Sequence, residues 1–293
     1  MDYALFKTLI PQRSKEFLPP VFHSYEPRVN TVMKVNGPKD AFCLIPPERD
    51  PEVAIPTLYL DDLYLEFQED EDLDGILELI ARIMVTWSGT RMPGLAEFDV
   101  QGHTDRIVAN LVNAGMNHEL KENVPHTDFL DMTVIYRLVH SVTEDGINSA
   151  IITNDMIDGT GLDAKEIHRL AMENTPRLFP AKLIEGSDKE VCVMTNESGL
   201  CGATTMLYSN DMQRLAEHMG GDYFIMPTSI HEFFAVSADK TDPYNLFLML
   251  AEGNHTITRP EELLSYTIYR YRAKEGKISI VPRLAGFREE KNG

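Results

Sequence analysis

The chain has 293 residues, 43% of them apolar and 25% charged, with a net charge of −19. That length and balance describe a globular protein with a sizeable core, not a disordered one. The acidity excludes nucleic acid and anionic membrane surfaces as partners unless a basic patch forms, and no run of Lys or Arg supplies one.

The first 30 residues read as irregular, because Pro11, Pro19, Pro20 and Pro27 interrupt them. A hairpin follows, Val32 to Val35 and Ala41 to Ile45, turning at Asn36-Gly37-Pro38. Pro46, Pro47, Pro51 and Pro56 mark a stiff connection. From Asp72 to Trp87 the residues Leu73, Ile76, Leu77, Ile80, Ile83, Met84 and Trp87 recur at helical spacing. Eleven acids and no Lys or Arg lie between Arg49 and Arg82. They crowd the start of that helix, where the dipole favours negative charge. The stretch from Ser88-Gly89 through Pro93-Gly94 to Gly102 reads as a boundary. It separates an N-terminal lobe, 1–102, from a C-terminal α+β lobe, 103–293, within one family-length unit.

Strands come next. Ile107 to Val112 is one. Leu130, Met132, Val134, Tyr136 and Leu138 alternate with Asp131, Thr133 and Arg137, the pattern of a half-buried strand. Ile147 to Thr153 is a third. Asp163 caps a helix with Glu166 three residues on, and Pro176 is expected to end it. A hairpin is read from Glu190 to Thr195 and Leu200 to Leu207 around Asn196-Glu197-Ser198-Gly199. A helix from Ser209 or Asn210 to Met219 stops at Gly220-Gly221. Strands Tyr223 to Met226 and Glu232 to Ser237, a helix near Tyr244 to Ala251, another opened by Pro260-Glu261-Glu262, and strands Thr267 to Arg272 and Lys277 to Val281 complete the chain. Hairpin-linked strands among helices predict an α+β fold with a mixed, largely antiparallel sheet and packed helices.

Cys43, Cys192 and Cys201 are too few for a disulfide framework and fit a reducing cytoplasm. The N-terminus lacks the basic start and apolar run of a signal peptide, and no apolar run nears the roughly 20 residues of a membrane span. Cys201 has Thr204 and Thr205 nearby but no local base or positive field, so both it and Cys192 read as buried, inert thiols. Read as a hairpin, the segment sets Cys192 opposite Ala203 and Cys201 opposite Met194.

Asp70, Asp72 and Asp74 with Gly75 match the opening of a calcium loop, but the twelfth position is Ala81 and not Glu. The sequence therefore predicts an acidic helix start there and no cofactor or metal. His103-Thr104-Asp105 and His126-Thr127-Asp128, the latter followed by Asp131, specify no third or fourth metal ligand. His231-Glu232 lacks the second His of a zinc-protease motif, since the fifth position is Ala235. The loop Pro227-Thr228-Ser229-Ile230 before it could line a pocket. A candidate site would gather His126, Asn174, Ser229, His231 and Glu232, where Asn and Ser orient a substrate and His and Glu move protons.

Longer segments carry a resemblance. Val124-Pro125-His126-Thr127-Asp128-Phe129-Leu130-Asp131 is one block. Ala171 to Ala181, with Glu173-Asn174-Thr175-Pro176-Arg177, is a second. Val193-Met194-Thr195-Asn196 through Gly202-Ala203, with Ile225-Met226-Pro227-Thr228-Ser229-Ile230-His231-Glu232, is a third. Asn254, Pro260-Glu261-Glu262-Leu263-Leu264-Ser265 and Tyr269 continue it. In this order they resemble a family of bacterial proteins catalogued as domain-of-unknown-function family 5688. The resemblance implies a bacterial cytoplasmic protein and transfers no activity or catalytic residue. Without a complete catalytic set, the expected function is binding or regulation, without catalysis, through a protein or small-molecule partner. An enzyme with its pocket near residues 227–232 is the alternative, and a structural subunit of an assembly a third.

Overall fold

The computed structural model describes residues 1–50, 53, 55–89, 99–143, 146–186 and 190–282. The chain divides into two compact units, Met1–Glu97 and Phe98–Gly293. Residues 90–98, which include most of the boundary read from the sequence, lie outside the described residues.

The first unit opens with helix α1, Tyr3–Phe17, where the sequence reading expects irregular chain. The Asp2 carboxylate caps it by accepting from the Leu5 amide at 2.8 Å. Phe6, Ile10 and Ser14 bury one face at four-residue spacing, and that burial outweighs the helix bond lost at Pro11. Strands β1, Glu26–Lys34, and β2, Gly37–Ile45, pair antiparallel, with β3, Thr57–Tyr59, beside β2. Pro27 is tolerated because β1 is an edge strand. The hairpin is longer than the sequence suggests, and Asn36 and Gly37 turn it at positive φ.

Two helices close this unit: α2, Leu60–Asp70, not foreseen, and α3, Leu73–Trp87, as read from its spacing. Glu71 between them is left-handed. The Asp72 side chain caps α3 by accepting from the Gly75 amide at 3.0 Å, so the acidic run is a helix start. Ile76, Leu77, Ile80 and Met84 are buried with Phe6, Ile10, Phe42, Leu60 and Phe67, whereas Trp87 is exposed. Asp62 meets Lys39 at 3.1 Å and Asp74 meets Arg13 at 3.0 Å, which offsets part of the crowded charge.

In the second unit every strand pairing among the described residues is antiparallel, and the fold is α+β. One sheet is built on β6, Met132–Thr143. Strand β4, Ile107–Asn113, lies along one edge of it. Strands β5, His126–Phe129, and β7, Gly146–Ile151, lie along the other. Leu130, expected inside the strand, is left-handed in the β5–β6 turn. The second sheet has six strands in the order β13-β12-β10-β11-β9-β8. These are β8, Ala181–Glu185, β9, Val191–Asn196, β10, Tyr223–Met226, β11, Phe233–Ser237, β12, Tyr269–Arg272, and β13, Lys277–Ile280.

The helices are the short α4, His118–Asn123, and α5, Asn154–Ile157, then α6, Ala164–Leu178, α7, Ser209–Met219, and α8, Pro243–Thr256. Asp163 caps α6 as expected, accepting from the Glu166 amide. Pro176 does not end α6, which runs on to Leu178 because a proline this near the end removes only one helix bond. Pro260–Glu262 is a single 3-10 turn rather than a helix. Ile107, Leu111, Val134, Tyr136, Ile167, Ala171, Met212, Ile225 and Phe233 share one core.

The hairpin read across residues 190–207 is replaced. Strand β9 pairs with β8 and β11, and Cys192 faces Glu185 and Ala235, not Ala203. Residues Gly202–Leu207 form a 3-10 helix instead of a strand. Gly199 and Cys201 both take positive φ and turn the chain out of the sheet. Gly202, Ala203, Thr204, Thr205 and Met206 are all buried, which leaves no alternation for a two-faced strand. Among the described residues no helix is long and apolar enough to cross a membrane.

Candidate functional site

Because side chains alternate across a strand, β4 and β6 each present two faces. Ile107, Ala109, Leu111, Val134, Tyr136 and Leu138 enter the main core. Val108, Asn110, Arg137 and Val139 project from the opposite face, joined by Ile147 and Ser149 of β7, and wall a cavity of about 190 Å³. Its remaining walls include Phe179, Asn196, Leu200, Cys201, Thr204, Tyr208 and His231.

The outer edge of β4 is closed by hydroxyls. The Ala109 amide donates to Thr175 Oγ1 at 2.8 Å, and the Leu111 amide donates to Thr204 Oγ1 at 3.1 Å. An exposed strand edge would leave those donors unpaired. Here they anchor α6 and the 3-10 helix beside the cavity.

Arg137 donates through Nε to Ser149 Oγ at 2.9 Å and through Nη2 to the Ser149 carbonyl at 3.0 Å. Among the described residues no carboxylate pairs with it. Burial lowers its pKa, and the nearby Cys201 sulfur opposes that shift.

Cys201 ends a tight turn. The Asn196 carboxamide accepts from the Ser198 amide at 3.0 Å and donates to the Leu200 carbonyl at 2.8 Å. Cys201 then takes φ 53°, a conformation costly for a residue with a Cβ. Its Sγ accepts from Asn110 Nδ2 at 3.3 Å. Burial pushes the thiol pKa up, while Arg137 and the Asn110 hydrogen bond pull it down. Gly202 must lack a side chain, since a Cβ there would collide with Thr195 Oγ1 and the His231 carbonyl.

His231 arrives from the loop before β11. Ser229 Oγ accepts from the His231 amide at 2.9 Å and donates to Glu232 Oε1 at 2.8 Å. Thr228 Oγ1 donates to the same oxygen at 3.1 Å. Thr195 Oγ1 donates to the His231 carbonyl at 2.8 Å. The imidazole Nδ1 accepts from the Cys201 amide at 3.2 Å, which leaves the proton on Nε2, 3.6 Å from Glu262 Oε1.

Of the five candidates read from the sequence, His231 lines the cavity. Ser229 and Glu232 shape the loop that presents it. Asn174 spends its Nδ2 on the carbonyls of Thr104 and Ile107, at 2.8 and 3.1 Å, and so fixes α6 to the start of β4. His126 is on β5, with Nδ1 3.1 Å from the Val124 carbonyl. Among the described residues no group of three His, Cys, Asp or Glu is placed to hold a metal. Asp128 pairs with Lys121 at 2.6 Å. Asp131 accepts from Ser265, Thr267 and Tyr269.

Arg137, Asn110, Ser149, Asn196 and Cys201 are among the cavity groups that sequence reasoning did not select. The one signal for Arg137 was its place on the polar side of an alternating strand. Cys201 lacked a base within its own segment because its imidazole neighbour lies in a loop much further along the chain.

The second unit is thus an antiparallel α+β unit with a cavity that brings together a thiol, an imidazole and a guanidinium. A family of unknown function, DUF5688, matches residues 3–186 and 182–273, and the chain belongs to that family. No curated protein and no solved structure matches the chain.

Proposed function

We propose that this is a bacterial cytoplasmic protein whose second unit binds a small anionic ligand in the Arg137 cavity. The observation that carries the reading is the Arg137 guanidinium, partly buried in the cavity wall with no carboxylate partner among the described residues. A buried cation without a counter-ion is costly, and a bound anion offsets that cost. The planar fork of Arg suits a carboxylate or phosphate oxygen pair. Asn110, Asn196, Ser149 and His231 add groups that can donate or accept beside it.

A cavity of about 190 Å³ is smaller than the roughly 300–1,000 Å³ typical of drug-sized ligands, which restricts the ligand to a small molecule. The net charge of −19 does not prevent entry, because salt screens charges beyond about 8 Å at physiological ionic strength. The reducing conditions suggested by three free cysteines fit a cytoplasmic location, and the resemblance to bacterial proteins supports the source.

The experiment is thermal unfolding of the full chain with acetate, malonate and inorganic phosphate. At least one should raise the midpoint of the wild type and leave Arg137→Met unmoved. No response to any of the three, or an equal response in both proteins, would refute the reading.

A further inference from the structure

We propose that Cys201 is a nucleophile toward a small acyl compound bearing an anionic group, with Arg137 holding the anion and His231 taking the thiol proton. This rests on the anion-binding reading above and adds a reaction to it. The cysteine is not isolated: thiol, imidazole and guanidinium all face one cavity.

The backbone is built to place this sulfur. A left-handed Cys201 is followed by Gly202, where a Cβ would collide with Thr195 Oγ1 and the His231 carbonyl. Asn110 holds the sulfur from the β4 side.

Burial pushes the Cys201 thiol pKa up, against the pull of Arg137 and the Asn110 hydrogen bond. An anion on Arg137 also occupies the cation that would favour a thiolate. The proton must therefore leave as the sulfur attacks, which calls for a base in the cavity. His231 Nδ1 is unprotonated, since it accepts from the Cys201 amide, and the step exchanges that bond for the thiol proton. The Glu262 carboxylate, 3.6 Å from Nε2, stabilises the imidazolium so formed.

In the step, the Sγ proton passes to Nδ1 and a bond forms between Sγ and the carbonyl carbon. The carbonyl π pair moves onto oxygen. Its return breaks the bond to the amine or alcohol, which leaves with the proton from Nδ1. Water then attacks the thioester, releasing a carboxylic acid and restoring the thiol. The net reaction is hydrolysis of one amide or ester bond, and water is the only co-reactant.

Two isosteric alkylating reagents test it, iodoacetate with a carboxylate and iodoacetamide without one. On the full chain, with the modified cysteine mapped by peptide mass, iodoacetate should label Cys201 about tenfold faster than iodoacetamide, as a charge-assisted pair with Arg137 requires. Arg137→Gln should reverse the order, and His231→Gln should slow both reagents. The comparison within the wild type needs no variant, so misfolding of a variant does not obscure it. If neither reagent labels Cys201 while acetate still raises the unfolding midpoint, the nucleophile is refuted and the binding reading stands. If both label it equally, in wild type and Arg137→Gln alike, Arg137 holds no anion and both are refuted. Mono(4-nitrophenyl) succinate should leave a succinyl thioester on Cys201, and its absence overturns the acyl chemistry.

Discussion

The Cys201 amide donates to His231 Nδ1 across 3.2 Å, although 30 residues separate the two in the chain. The bond joins the turn after β9 to the loop before β11, and it fixes both the imidazole tautomer and the left-handed cysteine. The backbone at Cys201 should therefore be strained in a measurable way. Cys201→Ala and Cys201→Gly both remove the thiol, but only glycine adopts φ 53° without a Cβ clash. The glycine variant should be the more stable of the two by about 1 kcal/mol in urea denaturation. Equal stability, or a more stable alanine variant, would show that the turn is relaxed.

Gly202 is the tightest neighbour of that turn. A methyl group there must displace Thr195 Oγ1 or the backbone of His231 and Asn196, and two of these three are main chain. Gly202→Ala should cost about 1–3 kcal/mol and increase the exposure of Cys201 to thiol reagents. A variant with wild-type stability would mean that the contact yields freely.

Asn174 serves the fold rather than the cavity. Its carboxamide satisfies the carbonyls of Thr104 and Ile107 at the start of β4. Asn174→Ala should lose about 1–3 kcal/mol of stability through those unpaired acceptors. Well below its unfolding midpoint, its rate of Cys201 alkylation should match the wild type. A selective loss of alkylation in a fully stable variant would place Asn174 in the site after all.

What the sequence revealed follows from the range of the interactions involved. Helix α3 was legible because its spacing, its Asp72 cap and its burial all lie within one segment. Helix α1 was hidden because Pro11 and the prolines after it obscure an apolar face that distant residues of β2, α2 and α3 complete. The segment Gly202–Leu207 was read as a strand for its composition, yet two left-handed residues just before it turn the chain away. The cavity was the least legible part. Arg137 looked like the polar side of a half-exposed strand, and nothing local says that Phe179, Cys201 and His231 cover that side. His231 was found through its loop, whereas Cys201 was set aside because its neighbours in sequence are not its neighbours in space.

The first unit should weaken in acid through Asp40. Lys7, at 2.7 Å, with the hydroxyls of Thr31 and Tyr3, holds the Asp40 carboxyl below its ordinary value of 3.8 against the opposing effect of burial. A depressed carboxylate pKa contributes stability above the unfolded value, and that contribution is lost as pH falls through the folded one. Asp40→Asn should cost about 1 kcal/mol at neutral pH, a modest figure because Lys7 is partly exposed, and should flatten the loss below about pH 4. Hydrogen exchange across α1 and β2 against pH reads both effects. An unchanged acid profile in the variant would assign the acid sensitivity to other carboxylates.

Arg137, which meets no carboxylate among the described residues, is on this reading kept for the sake of a ligand. A cation held for binding is a burden on the empty fold, so Arg137→Met should be as stable as the wild type or more so. Calorimetric titration of the full chain with malonate and with inorganic phosphate tests this most directly, alongside thermal unfolding without either. The account predicts saturable heat with one or both in the wild type, none in Arg137→Met, and an unchanged or higher unfolding midpoint in that variant. Absence of heat in the wild type, together with a clear loss of stability in the variant, would make Arg137 a structural residue and contradict the account.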